Sequence, residues 1–469
     1  MFANPFGVKA VYRRGGILIQ NPFRNRFVLQ VATLAGGTAT AQGISLLCAP
    51  VLTRLYLPEQ MGALAAVSAV VAVIGVVAAG QYDQAVVLPD NDRDAVSVAV
   101  AGFLLSTGIA LLLLAVAGIR GRSVAPLIGL SRDQWYWVFL VPVLVYMLSA
   151  EVLLIRLHVR LGRFRPLAWT QIMQQMGASA GKIGLGFAGF GVGGLFLGHL
   201  TGHVIRFGRL LCSAWPFIRR HRDACRWAAL WAQACRYRKF PLISSGSGVL
   251  HVISAQLPIL LLAPLFSPAV VGYYALSYTL LTVPVSLIGQ NTSHVFLERA
   301  ARLRADREKL ARIAISVYQR LLLVGAVPLS FITFHGDRLF PFVFGAGWAE
   351  SGTYAQWLSV WLIFVFAATP LNNLYSILER QGEGFAWNAG LLVIRAAVIF
   401  SGHAFFGEAL PVVALYSVVG AVSVLIWSIR MLVVAGGRIG SIVRSTIIIL
   451  IPVMLVQYVI YELIRNVLG

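Results

Sequence analysis

Apolar stretches about one membrane thickness long follow one another through almost the whole chain, separated by short connections rich in Gly, Pro and charge. A helix needs about 20 mostly apolar residues to cross the hydrocarbon core of a bilayer. Reading the runs against turn and charge punctuation predicts helices over 27–52, 62–88, 95–118, 135–156, 167–189, 192–215, 241–265, 269–293, 313–335, 353–378, 385–405, 409–432 and 442–464. The Gly-rich pair at 167–215 and the last span can each be broken or interfacial. The expectation is therefore an all-α polytopic membrane protein of about 12–14 transmembrane helices.

The basic residues fall on alternate sides of this pattern. With the N-terminus inside, Lys9, Arg13, Arg14, Arg24, Arg26 and the basic loops at 156–165, 219–239 and 299–312 share one face, whereas the other face holds chiefly Arg54, Arg120, Arg122, Arg132 and Arg338. Cytoplasmic loops carry the excess of Lys and Arg, which predicts a cytoplasmic N-terminus in a bacterial inner (cytoplasmic) membrane. The first 26 residues hold five basic residues and no apolar core long enough for a cleavable signal, so the first helix is expected to act as the insertion signal.

The 219–239 loop interleaves Trp227 and Trp231 with Arg220, Arg222, Arg226 and Arg236. Such a helix can lie at the headgroup level, and a plain surface-lying linker is the simplest reading of it. It also separates two halves that repeat. Leu52, Leu55, Tyr56, Pro58 and Gly62 recur at one offset as Leu262, Leu265, Phe266, Pro268 and Gly272, each set preceded by a basic aromatic entry, Arg26-Phe27 and Lys239-Phe240. Two six-helix lobes of the same topology imply a pseudo-twofold axis along the membrane normal and a central cavity. The expected organisation is a cytoplasmic segment at 1–26, a lobe at 27–216, a basic amphipathic linker at 217–240, a second lobe at 241–433 and an additional helix at 434–469.

Composition supports lipid as the solvent: 58% of the residues are hydrophobic and 12% charged, where a soluble domain carries roughly a quarter charged residues. The formal net charge of +21 would suggest nucleic acid in a soluble protein; here its placement makes it a topology signal. Cys48, Cys212, Cys225 and Cys235 lack metal-ligand spacing, and at least two lie in a loop expected in the reducing cytosol, so no disulfide is expected.

Ionisable groups inside spans are costly and call for a partner or a wet cavity. Gln171, Gln175, Ser179 and Lys182 share one helical face, and His199, His203, Arg206 and Arg209 another. Arg395 sits mid-helix with no charged neighbour for several turns, Arg320 about a third of the way along its helix, and Arg54 at the outer end of the first. For Arg206, Arg209 and Arg320, snorkelling to the headgroups is an equal alternative. Arg395 and Lys182 point to a cavity role. His199 and His203 have the spacing of a metal pair but no evident third ligand, so packing or hydrogen bonding is the better reading and no metal is expected. The intramembrane acids, Asp83, Glu151 and Glu379, could bind a proton or sodium ion and couple transport, or simply pair with a nearby Arg, which is the better reading. The excess of cation over acid favours a pyrophosphate or acidic sugar and repels cationic drugs. There is no Gly-Lys-Ser nucleotide loop and no acidic pair of the kind that holds a catalytic metal, so neither an enzyme nor a cofactor is expected.

The stretch Leu52 to Gly62, followed by Gln81, Tyr82, Asp83, Gln84, Ala85, Val86, Val87, Leu88 and Pro89, resembles the first two helices of Wzx-type polysaccharide flippases. Leu339, Phe340, Val343, Phe344, Gly345 and the run from Trp348 to Gly352 are similar to that family's outer loop. The family belongs to the multidrug/oligosaccharidyl-lipid/polysaccharide export superfamily. The resemblance implies a flippase that moves an undecaprenyl-pyrophosphate-linked oligosaccharide, such as an O-antigen repeat unit, from the cytoplasmic to the periplasmic leaflet. It further implies alternating access driven by a proton or sodium gradient, with membrane lipids and a polysaccharide polymerase or export machinery as partners. Members usually read as 12 or 14 helices, against 13 spans here, and often carry Glu where this chain has Asp83. Arg54, Lys182, Arg206, Arg320 and Arg395 are then the candidate substrate-binding residues, and Asp83, Glu151 and Glu379 the candidate ion-coupling residues. A drug or metabolite antiporter of the same superfamily, the main alternative, would place acids rather than Arg at the cavity centre. A membrane-bound polymerase or glycosyltransferase would need a large outer loop or a catalytic domain with paired acids.

Overall fold

The computed structural model describes the backbone of residues 22–468 and the side chains of 32–466 except those at 243, 247 and 464. The basic positions Lys9, Arg13 and Arg14, and the side chains of Arg24, Arg26 and Phe27, lie outside the described residues. Among these residues there is no strand, and thirteen long helices match the thirteen apolar runs one for one. They are α1 (Pro22–Leu55), α2 (Pro58–Ala78), α3 (Asp92–Val124), α4 (Leu140–Arg160), α5 (Phe164–Phe187), α6 (Val192–Arg220), α7 (Ser245–Leu265), α8 (Pro268–Arg302), α9 (Arg307–Phe344), α10 (Ala349–Ala368), α11 (Gln381–Phe406), α12 (Ala409–Val434) and α13 (Ile439–Leu468). Ten of them are long and apolar enough to cross a membrane among the described residues. The other three are α1, α5 and α6, the last two bearing the polar stripes described above.

Helix ends depart from the hydropathy reading where the backbone is forced to turn. The run at 62–88 stops at Ala78, because Gly80 (φ +56°) and Gln81 (φ +53°) take left-handed conformations before a single turn at Tyr82–Ala85. Pro370 ends α10 in a short 3₁₀ turn, Thr369–Asn373, since a ring at that position removes a helical donor. α9 begins earlier than predicted because Asp306 caps it, its carboxylate accepting from the Lys309 backbone N–H at 3.0 Å. α8 passes through a π segment, Val285–Gly289, around Pro284.

Packing separates the two halves. Two core clusters are built only from buried residues between Leu52 and Ala214, whereas a third runs from Leu262 to Ile442 and takes in only Ala49 and Ala66 from the first half. The amphipathic helix Trp227–Arg236 follows α6, buries Leu230 and leaves Trp227 and Trp231 exposed and stacked, with ring centroids 6.4 Å apart.

The sequence repeat has a spatial meaning. Pro58 to Gly62 opens α2 and Pro268 to Gly272 opens α8, and these two helix starts cross back to back. A Cβ on Gly62 would overlap the Pro268 carbonyl, and one on Gly272 the Pro58 carbonyl, so only glycine at both positions permits the approach. The halves thus meet about a pseudo-twofold axis at the end of the bundle remote from the basic loops. Trp348, from the loop after α9, reinforces this junction: its indole donates 2.8 Å to the Thr53 carbonyl, and the ring is 2% exposed.

Candidate functional site

The first lobe holds a buried polar cluster between α4, α5 and α6. Small residues create it, because Gly177, Gly181, Gly198 and Gly202 let α5 and α6 approach so closely that a Cβ at Gly198 would overlap the Lys182 backbone. Glu151 of α4 points into this seam, 1% exposed; its Oε1 lies 2.9 Å from His203 Nδ1 and its Oε2 3.8 Å from Arg206 Nη1. Arg206 Nη1 donates 2.7 Å to Gln174 Oε1, which fixes the amide, and its Nε is buried without a partner. The His199 and His203 rings meet edge to face at 4.8 Å. Lys182 is held through its backbone, whose carbonyl accepts from Tyr56 OH at 2.6 Å, and none of the ion pairs among the described residues includes its ammonium. Glu151 is therefore shared by His203 and Arg206, and Lys182 has no acid partner among the described residues. Gln171 accepts from Thr38 at 2.9 Å and Gln175 donates to Ser179 at 3.2 Å, so the polar stripe of α5 is engaged from Gln171 to Ser179.

The second lobe holds a cavity of about 380 Å³ between α7, α8, α10, α11 and α12. Its walls are rings: Tyr274 and Tyr278 stack at 5.7 Å, Tyr278 lies over Trp361 at 6.1 Å, Trp361 meets Tyr416 edge-on at 5.4 Å, and Trp427 Nε1 donates 2.7 Å to Tyr375 OH. Arg395 enters this cage with its guanidinium carbon 5.5 Å over the Trp361 ring and Nη1 3.2 Å from Ser254 Oγ. Its Nε, like Trp361 Nε1, is buried without a partner, and no acid pairs with it among the described residues.

The remaining candidate residues lie elsewhere. Arg320 is exposed in a separate groove of about 600 Å³ between the last part of α8 and the start of α9, together with Arg299, Lys309 and Arg312. Arg54 is exposed at the opposite end of the bundle, beside the α2–α8 crossing. The five candidate cations are thus spread over two lobe interiors, one groove and one end rather than gathered in one pocket. Of the acids, Asp83 is 6% exposed and pairs with Arg156 at 3.5 Å. Glu379 does not lie within a helix, as the apolar run at 353–378 had suggested. It occupies a left-handed turn (φ +58°) before α11, with its side chain 81% exposed and 3.9 Å from Arg304, because Pro370 and the turn after Ile377 have already ended the span. No cluster of three or more His, Cys, Asp or Glu able to hold a metal occurs among the described residues. Sequence reasoning found Arg395 and missed its aromatic cage and Gln174; aromatics in apolar helices are common, and only the fold brings these together.

A family model described as "Polysaccharide biosynthesis protein" matches residues 51–353. The succinoglycan biosynthesis transport protein ExoT of Rhizobium meliloti (strain 1021) is 20% identical over 345 residues, spanning 73% of this chain and 67% of that protein. Among solved structures, the inward closed conformation of the lipid II flippase MurJ gives a TM-score of 0.59 at 12% identity, covering 94% of this chain and 100% of that one. An inward-facing multidrug resistance MATE family transporter of the MOP superfamily gives 0.63 at 15% identity, covering 84% of this chain and 95% of that one. At such identities these structural likenesses are likenesses of fold.

Proposed function

This chain belongs to the polysaccharide biosynthesis protein family, and on that premise we propose that it is a flippase carrying undecaprenyl-pyrophosphate-linked oligosaccharide repeat units from the cytoplasmic to the periplasmic leaflet of a bacterial inner membrane. The observation that carries this reading is the uncompensated cation in each lobe interior: Lys182 in the first, where Glu151 is taken by His203 and Arg206, and Arg395 in the second, neither paired with an acid among the described residues. A buried charge that persists at membrane depth needs a counter-charge. A cargo with a pyrophosphate and acidic sugars supplies one, and a cationic drug does not, which disfavours the antiporter reading.

The two lobes rock against one another, the α2–α8 crossing closed in one arrangement and parted in the other, so that the interior meets one leaflet and then the other, with the N-terminus on the cytoplasmic side. Glu151 and His203, 2.9 Å apart in the first lobe, are the pair assigned to coupling, since a carboxylate and an imidazole in contact can hand on a proton. Asp83, paired with Arg156, secures the end of α2. Arg320 and its basic groove and the exposed Arg54 attract the pyrophosphate at the two ends of the path.

The test uses cells that depend on this protein for polysaccharide export. The double variant Lys182→Gln/Arg206→Gln is expected to accumulate lipid-linked repeat units in the cytoplasmic leaflet and to lose surface polysaccharide. Unchanged surface polysaccharide at equal membrane abundance of the variant would overturn the reading.

A further inference from the structure

We infer that the aromatic cavity of the second lobe is a sugar subsite that takes one carboxylate-bearing pyranose unit of the cargo. The inference rests on the flippase reading and adds to it which part of the cargo the second lobe holds. A volume of about 380 Å³ lies within the range of small-molecule sites. Eight aromatic side chains line it, among them Tyr274, Tyr278, Trp361 and Tyr416, and an aromatic wall suits the C–H face of a sugar ring. Asn372, Asn388 and His251 stand at the same wall and offer both donors and acceptors to hydroxyls.

Arg395 decides the charge of the ligand. A guanidinium presents a planar fork of donors matched to a carboxylate, and here the fork has only Ser254 and the face of Trp361 to engage. Hydroxyls and ring faces solvate the cation without neutralising it. Trp361 Nε1 and Arg395 Nε are both buried and unpartnered in one cage, so the protein itself does not satisfy the polar groups of this wall. The first lobe differs: none of the cation–ring contacts among the described residues includes Lys182 or Arg206. The two halves therefore divide the cargo, the second lobe engaging a sugar and the first carrying a cationic seam.

The experiment is a ligand-observed NMR titration of the purified full-length protein in detergent with methyl β-D-glucuronide, methyl β-D-glucoside and inorganic phosphate. The glucuronide is expected to bind saturably and at least about tenfold more tightly than the glucoside, the difference of one charge-assisted pair. Arg395→Gln is expected to bring the two sugars to within about twofold while still binding the glucoside, which shows the cage intact; Tyr278→Ala is expected to weaken both sugars. Equal binding of the two sugars by the wild type, or a preference that survives Arg395→Gln, would overturn the assignment. So would displacement of the glucuronide by a lower concentration of phosphate, which would make the cavity a phosphate site. Movement of lipid-linked saccharide is scored separately in vesicles. Wild-type protein that moves it without preferring the glucuronide sinks the subsite alone, whereas preference without movement sinks the flippase reading alone.

Discussion

Replacing Gly62 by Ala is expected to separate the two lobes at the end where α2 and α8 cross. The added methyl overlaps the Pro268 carbonyl, which is backbone and cannot rotate away, so the helices must part or tilt. Overpacking of this kind typically costs about 1–3 kcal/mol. That cost falls only on the arrangement in which the crossing is closed, so the equilibrium shifts towards the separated arrangement by roughly 5–150-fold. Pulsed electron spin resonance between labels at Leu57 and Phe342, which are 62% and 83% exposed at this end, reads the separation directly once Cys48, Cys212, Cys225 and Cys235 are replaced by Ser. Gly62→Ala is expected to add or enlarge a long-distance population. Gly108→Ala, where a Cβ meets nothing within 4 Å, is the control and is expected to leave the distribution unchanged. An unaltered distribution in Gly62→Ala, or the same change in both variants, would refute the assignment of this crossing as the junction between lobes.

Other consequences follow from the same geometry. Glu151→Gln leaves Arg206 without its ion-pair partner, so thermal unfolding in detergent is expected to show a loss of about 3–5 kcal/mol, the usual cost of breaking a buried pair. Gly198→Leu is expected to prevent α5 and α6 from closing, with loss of folded protein on size-exclusion chromatography, because even a Cβ there overlaps the Lys182 backbone. The Asp306 carboxyl is held below the ordinary carboxylate range by its hydrogen bonds to the Lys309 side chain and backbone. Its cap therefore contributes fully above the ordinary value and is lost as pH falls through the lowered one. Faster amide exchange at Lys309 in Asp306→Ala at neutral pH, and in the wild type only under acid, checks that sign.

Much of the architecture could be read from the chain because a bilayer demands continuous apolar runs, and each predicted run meets one helix. The ends were less legible. Hydropathy carried the second span through Gly80 and Gln81 and the tenth through Pro370, since apolar residues such as Val86 to Leu88 and Ile377 to Leu378 resume beyond them; backbone geometry ends those helices. That error placed Glu379 inside a span. The repeat of Pro58 and Gly62 at Pro268 and Gly272 was visible as a pattern, but that the two copies cross one another is a tertiary fact no local signal encodes. Arg395 stood out as a lone charge in an apolar helix. Its cage did not, because Tyr278, Trp361, Tyr416 and Trp427 come from α8, α10 and α12 and are individually ordinary.

The central claim is tested most directly by reconstituting the purified protein into vesicles carrying an undecaprenyl-pyrophosphate oligosaccharide in both leaflets. The measurement is the fraction reached by an impermeant sugar-modifying reagent, with a proton or sodium gradient imposed in each direction. Protein-dependent exposure beyond the share already outside is expected, together with its loss in the Lys182→Gln/Arg206→Gln variant. Exposure that stays at the outer-leaflet share with wild-type protein under every gradient would contradict it.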